Sequence, residues 1–261
     1  MKTSHGSTKL AVLGTLLAVA GAASADPAKP SGDDVMKLVR DRKTPDNTYA
    51  QVELTIKKGD STVEKVFKAW SLKVSATETR SLIEFEKPNN SKILAYSRTN
   101  GEDDRWIKTS SGQPKRISSS GGDGQTFAQS HFSYADLDFA RAKGFTNELV
   151  CEAAKCTFDY QGAPHYKVKS TPTKGNGEYD YVVNFVRVSD STEDRIEYFT
   201  KDGKKVKELT ADDYKDVNGF KTPTVVKISI TESGDSSTMK IGSIENDSKK
   251  ISAQMFDKNL L

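Results

Sequence analysis

The chain has 261 residues, 35% of them hydrophobic and 29% charged, which is enough apolar material for one substantial core and far too polar for a bundle of membrane-spanning helices. Lysine and arginine number 39 against 36 acids, and two of those bases, Lys2 and Lys9, stand in the first 25 residues, which hold no acid. The remainder is close to neutral and lacks the basic excess that a phosphate backbone or an anionic membrane usually attracts, so nucleic acid is disfavoured as a partner.

Residues 1–25 join that basic start to an apolar run from Leu10 to Ala23 and end on Ala23-Ser24-Ala25, the layout of a secretory signal with a small-residue cleavage site. The run, about 14 residues, is shorter than the roughly 20 needed to cross a bilayer as a helix. The expectation is a signal peptide over 1–25, with no cysteine at the cut to carry a lipid, and a single domain over 26–261 in an envelope compartment or outside the cell.

Behind Ser31, the spacing of Val35, Met36, Leu38 and Val39 predicts an amphipathic helix over Gly32 to Arg42, with Asp33 and Asp34 in its first turn. Thr44-Pro45-Asp46-Asn47 stops it, and the pattern then changes to alternation. Strands are predicted at Tyr49 to Lys57, Val63 to Val74, Arg80 to Glu86, Ser91 to Arg98 and Arg105 to Thr109. A second helical piece is expected at Tyr134 to Lys143. Further strands are predicted at Glu148 to Glu152, Cys156 to Tyr160, Tyr166 to Ser170, Tyr179 to Val188, Arg195 to Thr200, Lys204 to Asp212, Lys221 to Thr231 and Ser237 to Ile244. Turns such as Lys58-Gly59-Asp60, Asn218-Gly219 and Ser233-Gly234 connect them at hairpin spacing, which implies an antiparallel meander. About a dozen strands exceed what a flat open sheet comfortably holds, so the fold class is mainly β (α+β), a strongly curved antiparallel sheet covered by a few helices.

Alternation places Val52, Leu54 and Ile56 on one face of the first strand, and Val66, Trp70, Leu72 and Val74 on one face of the second. Val52, Leu54, Ile56, Val66, Trp70 and Leu72, with Ile83, Phe85 and Trp106, are the expected wall of an apolar concavity. That concavity is either a ligand site or is filled by large side chains such as Trp70, Phe85, Trp106 and Phe185.

Sites for chemistry are sparse. After residue 25 only His131 and His165 remain, outside any catalytic motif, and both read as ordinary surface or partly buried side chains. Gly121-Gly122-Asp123-Gly124 opens no βα unit and reads as a flexible tip. The pairs Asp103/Asp104 and Asp212/Asp213 read as solvated charge. No catalytic residue, metal or cofactor is expected, and the chain reads as a non-enzyme. Cys151 and Cys156, the two cysteines present, are expected to form a local disulfide in an oxidising compartment; a reduced, metal-bound pair is the lesser alternative.

The block from Asp104-Arg105-Trp106-Ile107 through Lys115-Arg116-Ile117-Ser118 and Phe127 to Phe132-Ser133-Tyr134-Ala135-Asp136-Leu137 resembles a signature of the outer-membrane lipoprotein-sorting (LolA-like) family. Arg195-Ile196-Glu197-Tyr198-Phe199, Asn218-Gly219-Phe220-Lys221-Thr222-Pro223 and the closing Phe256 with Leu260-Leu261 support the likeness. Two departures stand at the rim: Lys108-Thr109-Ser110 replaces a common aromatic and Leu-Pro pair, and His131 stands where an acid is common. The resemblance implies an incomplete barrel whose hydrophobic cavity carries acyl chains of lipoproteins or a related lipid across the periplasm. It also implies a transient donor at the inner membrane and an acceptor at the outer membrane. On that reading the Gly32 to Arg42 helix and the Ser118 to Gln125 loop form movable cover. A regulatory or lipid-sensing module of the same fold is the main alternative.

Overall fold

The computed structural model describes residues 29–99, 103–117, 126–137, 144–153, 155–173 and 179–261. The expected signal peptide, the Ser118 to Gln125 loop and residues 138–143 lie outside these described residues.

The first element is α1 (Gly32–Arg40), two residues shorter than expected, with Asp41 as its C-cap. Ser31 Oγ accepts from Asp34 N at 3.1 Å while Asp34 Oδ2 accepts from Ser31 N at 2.9 Å. This reciprocal box satisfies two backbone donors at the helix start. Gly32 is needed for a close approach: a Cβ there would sit 2.5 Å from the carbonyl oxygen of Asn147.

Fourteen strands follow among the described residues: β1 (Asn47–Lys58), β2 (Ser61–Lys73), β3 (Glu78–Lys87), β4 (Lys92–Arg98), β5 (Asp104–Lys108), β6 (Lys115–Ile117), β7 (Phe145–Val150), β8 (Thr157–Tyr160), β9 (Ala163–Pro172), β10 (Tyr181–Arg187), β11 (Glu193–Phe199), β12 (Lys205–Val217), β13 (Phe220–Ile230) and β14 (Ser236–Asn246). They form one antiparallel sheet in the order β6-β5-β4-β3-β2-β1-β14-β13-β12-β11-β10-β9-β7, with β8 also pairing with β9. The sheet is an incomplete barrel. Each predicted strand has its counterpart, and the three-residue β6 is the one the alternation is too short to show. Of the second expected helix, residues 135–137 form a single 3-10 turn.

Directly opposed residues of an antiparallel pair share a face. Leu149, Val168, Asn184, Ile196, Leu209, Ile228, Ser237 and Ile56 are opposed in sequence from β7 to β1, which traces one inner face across the sheet. Val52 continues it to Phe67 and Phe85. At the β9–β10 end Val35, Met36 and Val39 of α1 cover this face by packing on Val168 and Val186. On the outer face Trp70, Leu82, Leu94 and Trp106 are opposed in turn. There the C-terminal segment lays Ile251, Met255, Phe256 and Leu261 over them. Tyr96 Oη donates to Phe256 O at 2.5 Å and Lys108 Nζ to Leu261 O at 2.6 Å, fixing that segment in place.

Cys151 and Cys156 are disulfide-bonded, closing the loop between β7 and β8, which run along the same edge of β9. No helix among the described residues is long and apolar enough to cross a membrane.

Phe256 is fully buried, so Phe256→Ala leaves a cavity and is expected to cost about 3–5 kcal/mol in urea unfolding. A loss below about 1 kcal/mol would mean that the C-terminal segment is not docked in solution.

Candidate functional site

The inner face is covered in its middle by the segment Thr126 to Leu137. Its local shape follows from short-range hydrogen bonds: Phe127 N donates to Phe132 O at 2.7 Å, and Ser130 Oγ to Phe127 O at 2.6 Å. Ser133 N donates to Asp136 Oδ2 at 2.6 Å, while Asp136 N donates to Ser133 Oγ at 3.2 Å. Between them Ala128 and Gln129 take left-handed conformations, φ 52° and 61°, which cost a side-chain-bearing residue about 1 kcal/mol or more each. The resulting knuckle pushes two aromatic rings, Phe127 and Phe132, to full burial in the inner face.

The plug is held by both apolar and polar contacts. Phe127 meets Phe67 at 5.7 Å and Phe85 at 6.2 Å between ring centroids, and Tyr134 edge-on at 6.0 Å. Asp136 forms a buried ion pair with Lys207 of β12 at 3.0 Å and accepts from Tyr198 Oη of β11 at 2.7 Å. Burial and the Asp136 charge together push the Tyr198 hydroxyl well above its ordinary range. His131 N donates to Ser237 Oγ at 3.0 Å, with His131 Nδ1 2.8 Å from the same hydroxyl. Burial, then the Lys58 charge, holds the His131 imidazole below its usual value. Lys58 Nζ and Lys65 Nζ donate to Gln129 O at 3.0 Å and Ala128 O at 2.5 Å. Beside them remains a cleft of about 130 Å³ lined by Ile56, Lys58, Ser61, Val63, Lys65 and Gln129, well below the roughly 300–1,000 Å³ of a small-molecule pocket.

The expected wall residues divide between the two faces. Val52, Leu54, Ile56, Ile83 and Phe85 come together on the inner face with the plug. Trp70, Leu72 and Trp106 lie on the outer face beneath the C-terminal segment, and Val66 shares their side of β2. The inner positions of β2 are Val63, Lys65, Phe67 and Ala69, opposed to Ile56, Leu54, Val52 and Ala50. The parity assigned to β2 and β5 is thus reversed. Alternation assumes one sheltered face, whereas here the C-terminal segment shelters the second, and the larger aromatics lie under it. Phe185 likewise packs against Tyr160 at 5.6 Å, away from the plug.

His165 is not a surface or partly buried side chain: it is fully buried, with Nε2 2.7 Å from Asp194 Oδ2 and Nδ1 2.8 Å from Ala163 O. Arg187 closes on the same carboxylate at 2.6 Å, so the group cross-braces β9, β10 and β11. Asp103 and Asp104, expected as solvated charge, are ion-paired with Arg105 and with Arg98 and Arg116. Among the described residues no three His, Cys, Asp or Glu side chains converge as metal ligands. Sequence reasoning missed Lys65, Tyr198 and Lys207 as contributors to the inner face. It did single out Phe127 and Phe132 through Asp136 by resemblance, and that stretch is the plug itself.

A family model described as "Uncharacterized protein" matches residues 77–261. The chain belongs to that family. No curated protein matches it. Among solved structures it is similar to a DUF1329 family protein from Desulfovibrio piger, at 22% identity and TM-score 0.76 over 89% of this chain and 100% of that one. It is also similar to an outer membrane lipoprotein-sorting protein domain from Vibrio parahaemolyticus, at 19% identity and TM-score 0.75 over 86% and 97%. A LolA superfamily protein from Nitrosomonas europaea matches at 17% and 0.65 over 89% and 100%. The chain shares the fold of these three structures, as the resemblance in the Phe132 to Leu137 block implies.

Asp136→Ala removes the buried carboxylate that pairs with Lys207 and accepts from Tyr198 and is expected to cost about 3–5 kcal/mol in chemical denaturation; a loss within experimental error would show that the ion pair does not hold the plug. At the α1 end, Glu193 is opposed to Val186 on the inner face, and burial pushes its carboxyl up to about 7, opposed by the Arg42 charge. The folded state then keeps a proton that the unfolded chain releases near 4.5, so this contribution to stability is present below pH 4.5 and lost as pH rises through 7. Relative to Glu193→Gln, the native chain is expected to lose on the order of 1–3 kcal/mol across that window, followed by thermal melts at fixed ionic strength; parallel pH profiles would refute it.

Proposed function

We propose that the protein is a non-enzymatic periplasmic carrier that shelters acyl chains of lipoproteins or another lipid on the inner face of its half-barrel and hands them toward the outer membrane. In this reading residues 1–25 are a removed secretory signal and 26–261 one carrier domain, loaded from a donor at the inner membrane and emptied to an acceptor at the outer membrane. The observation that carries the proposal is the plug: an apolar inner face extends across the sheet, and its middle is filled by side chains of one short segment, Thr126 to Leu137, rather than by the sheet's own residues alone. The shared fold with the Vibrio lipoprotein-sorting domain supports it.

Magnitudes favour exchange. Burying Phe127 and Phe132 is worth roughly 1.5–3 kcal/mol each, and the partly buried Tyr134 and Leu137 add less. A long acyl chain, at about 0.8 kcal/mol per methylene, gains on the order of 10 kcal/mol when sheltered. The two are comparable, so a chain replaces the plug without a deep trap on either side, and contacts with donor and acceptor set the direction.

The closeness of the plugged interior favours one competing reading, a lipid-sensing or regulatory module of the same fold whose plug stays in place. Fluorescent fatty-acid titration and native mass spectrometry of the purified protein separate them. The carrier reading expects co-purifying lipid and saturable uptake, about tenfold tighter or more in Phe132→Ala because the competing plug is weakened, and unchanged in Trp70→Ser on the outer face. Absence of both lipid and uptake in native and Phe132→Ala protein would defeat it.

A further inference from the structure

We infer that Lys58 and Lys65 form the head-group subsite of the carrier, taking the phosphate of an acidic amphiphile as the plug withdraws. The inference rests on the carrier reading and narrows its cargo. Both lysines belong to the inner face: Lys65 is opposed to Leu54, and Lys58 lies two and four positions beyond Ile56 and Leu54 on the same strand. Lys65 is half-buried and Lys58 exposed, and neither forms an ion pair with a carboxylate among the described residues. Here each ammonium instead donates to a neutral backbone carbonyl of the plug, Gln129 O at 3.0 Å and Ala128 O at 2.5 Å. The two cations are close enough that Lys58, after burial, lowers the Lys65 ammonium below its ordinary value. Like charges held together against an apolar floor of Ile56 and Val63 leave an anion's place open. The cleft between them, about 130 Å³ with Ser61 on its wall, admits a phosphate group and no acyl chain.

An acidic neighbour on this rim is Asp235, whose Oδ1 accepts from Gly59 N at 2.9 Å and whose Oδ2 lies 4.0 Å from His131 Nε2. The Gly59 hydrogen bond and, more weakly, the Lys58 charge hold its carboxyl below the ordinary range, but it forms no ion pair with either lysine.

The arrangement couples binding to opening. The carbonyls that the ammoniums hold belong to Ala128 and Gln129, the two residues in left-handed conformations, so the lysines stabilise the plug where its backbone is least comfortable. A phosphodiester offers two oxygens that share one negative charge to the same two donors, and hydrogen bonds between charged partners are about twice as strong as neutral ones. The head group thus displaces the latch while the chain displaces Phe127 and Phe132. The acylated amino terminus of a lipoprotein carries no phosphate, so the geometry favours a phospholipid-like cargo.

The test compares lysophosphatidylglycerol with monoacylglycerol of the same chain length, by displacement of a fluorescent fatty acid, with inorganic phosphate as a third ligand. Native protein is expected to bind the lysophospholipid at least about tenfold tighter than the neutral lipid. Lys58→Met/Lys65→Met is expected to abolish that preference while leaving monoacylglycerol binding in place, and Lys58→Arg/Lys65→Arg to keep it. Equal affinity for the two lipids would overturn the head-group site and leave the carrier reading standing; binding of neither would defeat the carrier reading itself. Inorganic phosphate binding as tightly as the lysophospholipid would assign the lysines to a free anion and overturn the inference. If the Met variant unfolds, loss of the preference in Lys65→Gln alone decides.

Discussion

A curved sheet whose inner face is apolar from β3 to β13 must keep that face out of water, and the remaining features of the molecule follow from how it does so. Helix α1 closes the β9–β10 end through Val35, Met36 and Val39. The middle is closed by the knuckle that carries Phe127 and Phe132. Both covers are short segments rather than a second sheet, so the inner face is sheltered by pieces whose own burial energy is similar to that of a hydrocarbon chain.

The polar fastenings determine where the plug sits. A buried ion pair such as Asp136 with Lys207 adds little net stability over a well-packed apolar pair, because desolvation offsets the Coulombic gain, but it penalises every other position of the plug. The added hydrogen bond from Tyr198 leaves Asp136 fully engaged. By contrast, the Lys58 and Lys65 latches end on neutral carbonyls at the rim. The plug is therefore tied by a charged pair near Asp136 and by hydrogen bonds to neutral carbonyls near Ala128.

The outer face is built differently. Trp70, Leu82, Leu94 and Trp106 are sealed by the C-terminal segment, with Phe256 and Leu261 buried and backbone carbonyls tied to Tyr96 and Lys108. At the other end of the sheet His165, Asp194 and Arg187 brace three strands from within. Neither cluster opens on the inner face. They brace the sheet from its outer face.

The sequence by itself determined what short-range chemistry controls: the meander of hairpins from Gly59 to Gly234, the helix behind Ser31, the pairing of Cys151 with Cys156, and the inner parity of Val52, Leu54 and Ile56. Turn residues, caps and alternation act over a few positions, so a linear reading finds them. The resemblance carried by Phe132 to Leu137 marked the plug without saying what it does. Tertiary structure decided the faces of β2 and β5, because the cover over Trp70 and Trp106 comes from the far end of the chain. It also decided that Asp136 meets Lys207, 71 residues away, and that His165 is buried against Asp194, 29 residues away. Such pairings depend on the register of strands distant in sequence and on which surface a late segment covers, and no local period records either.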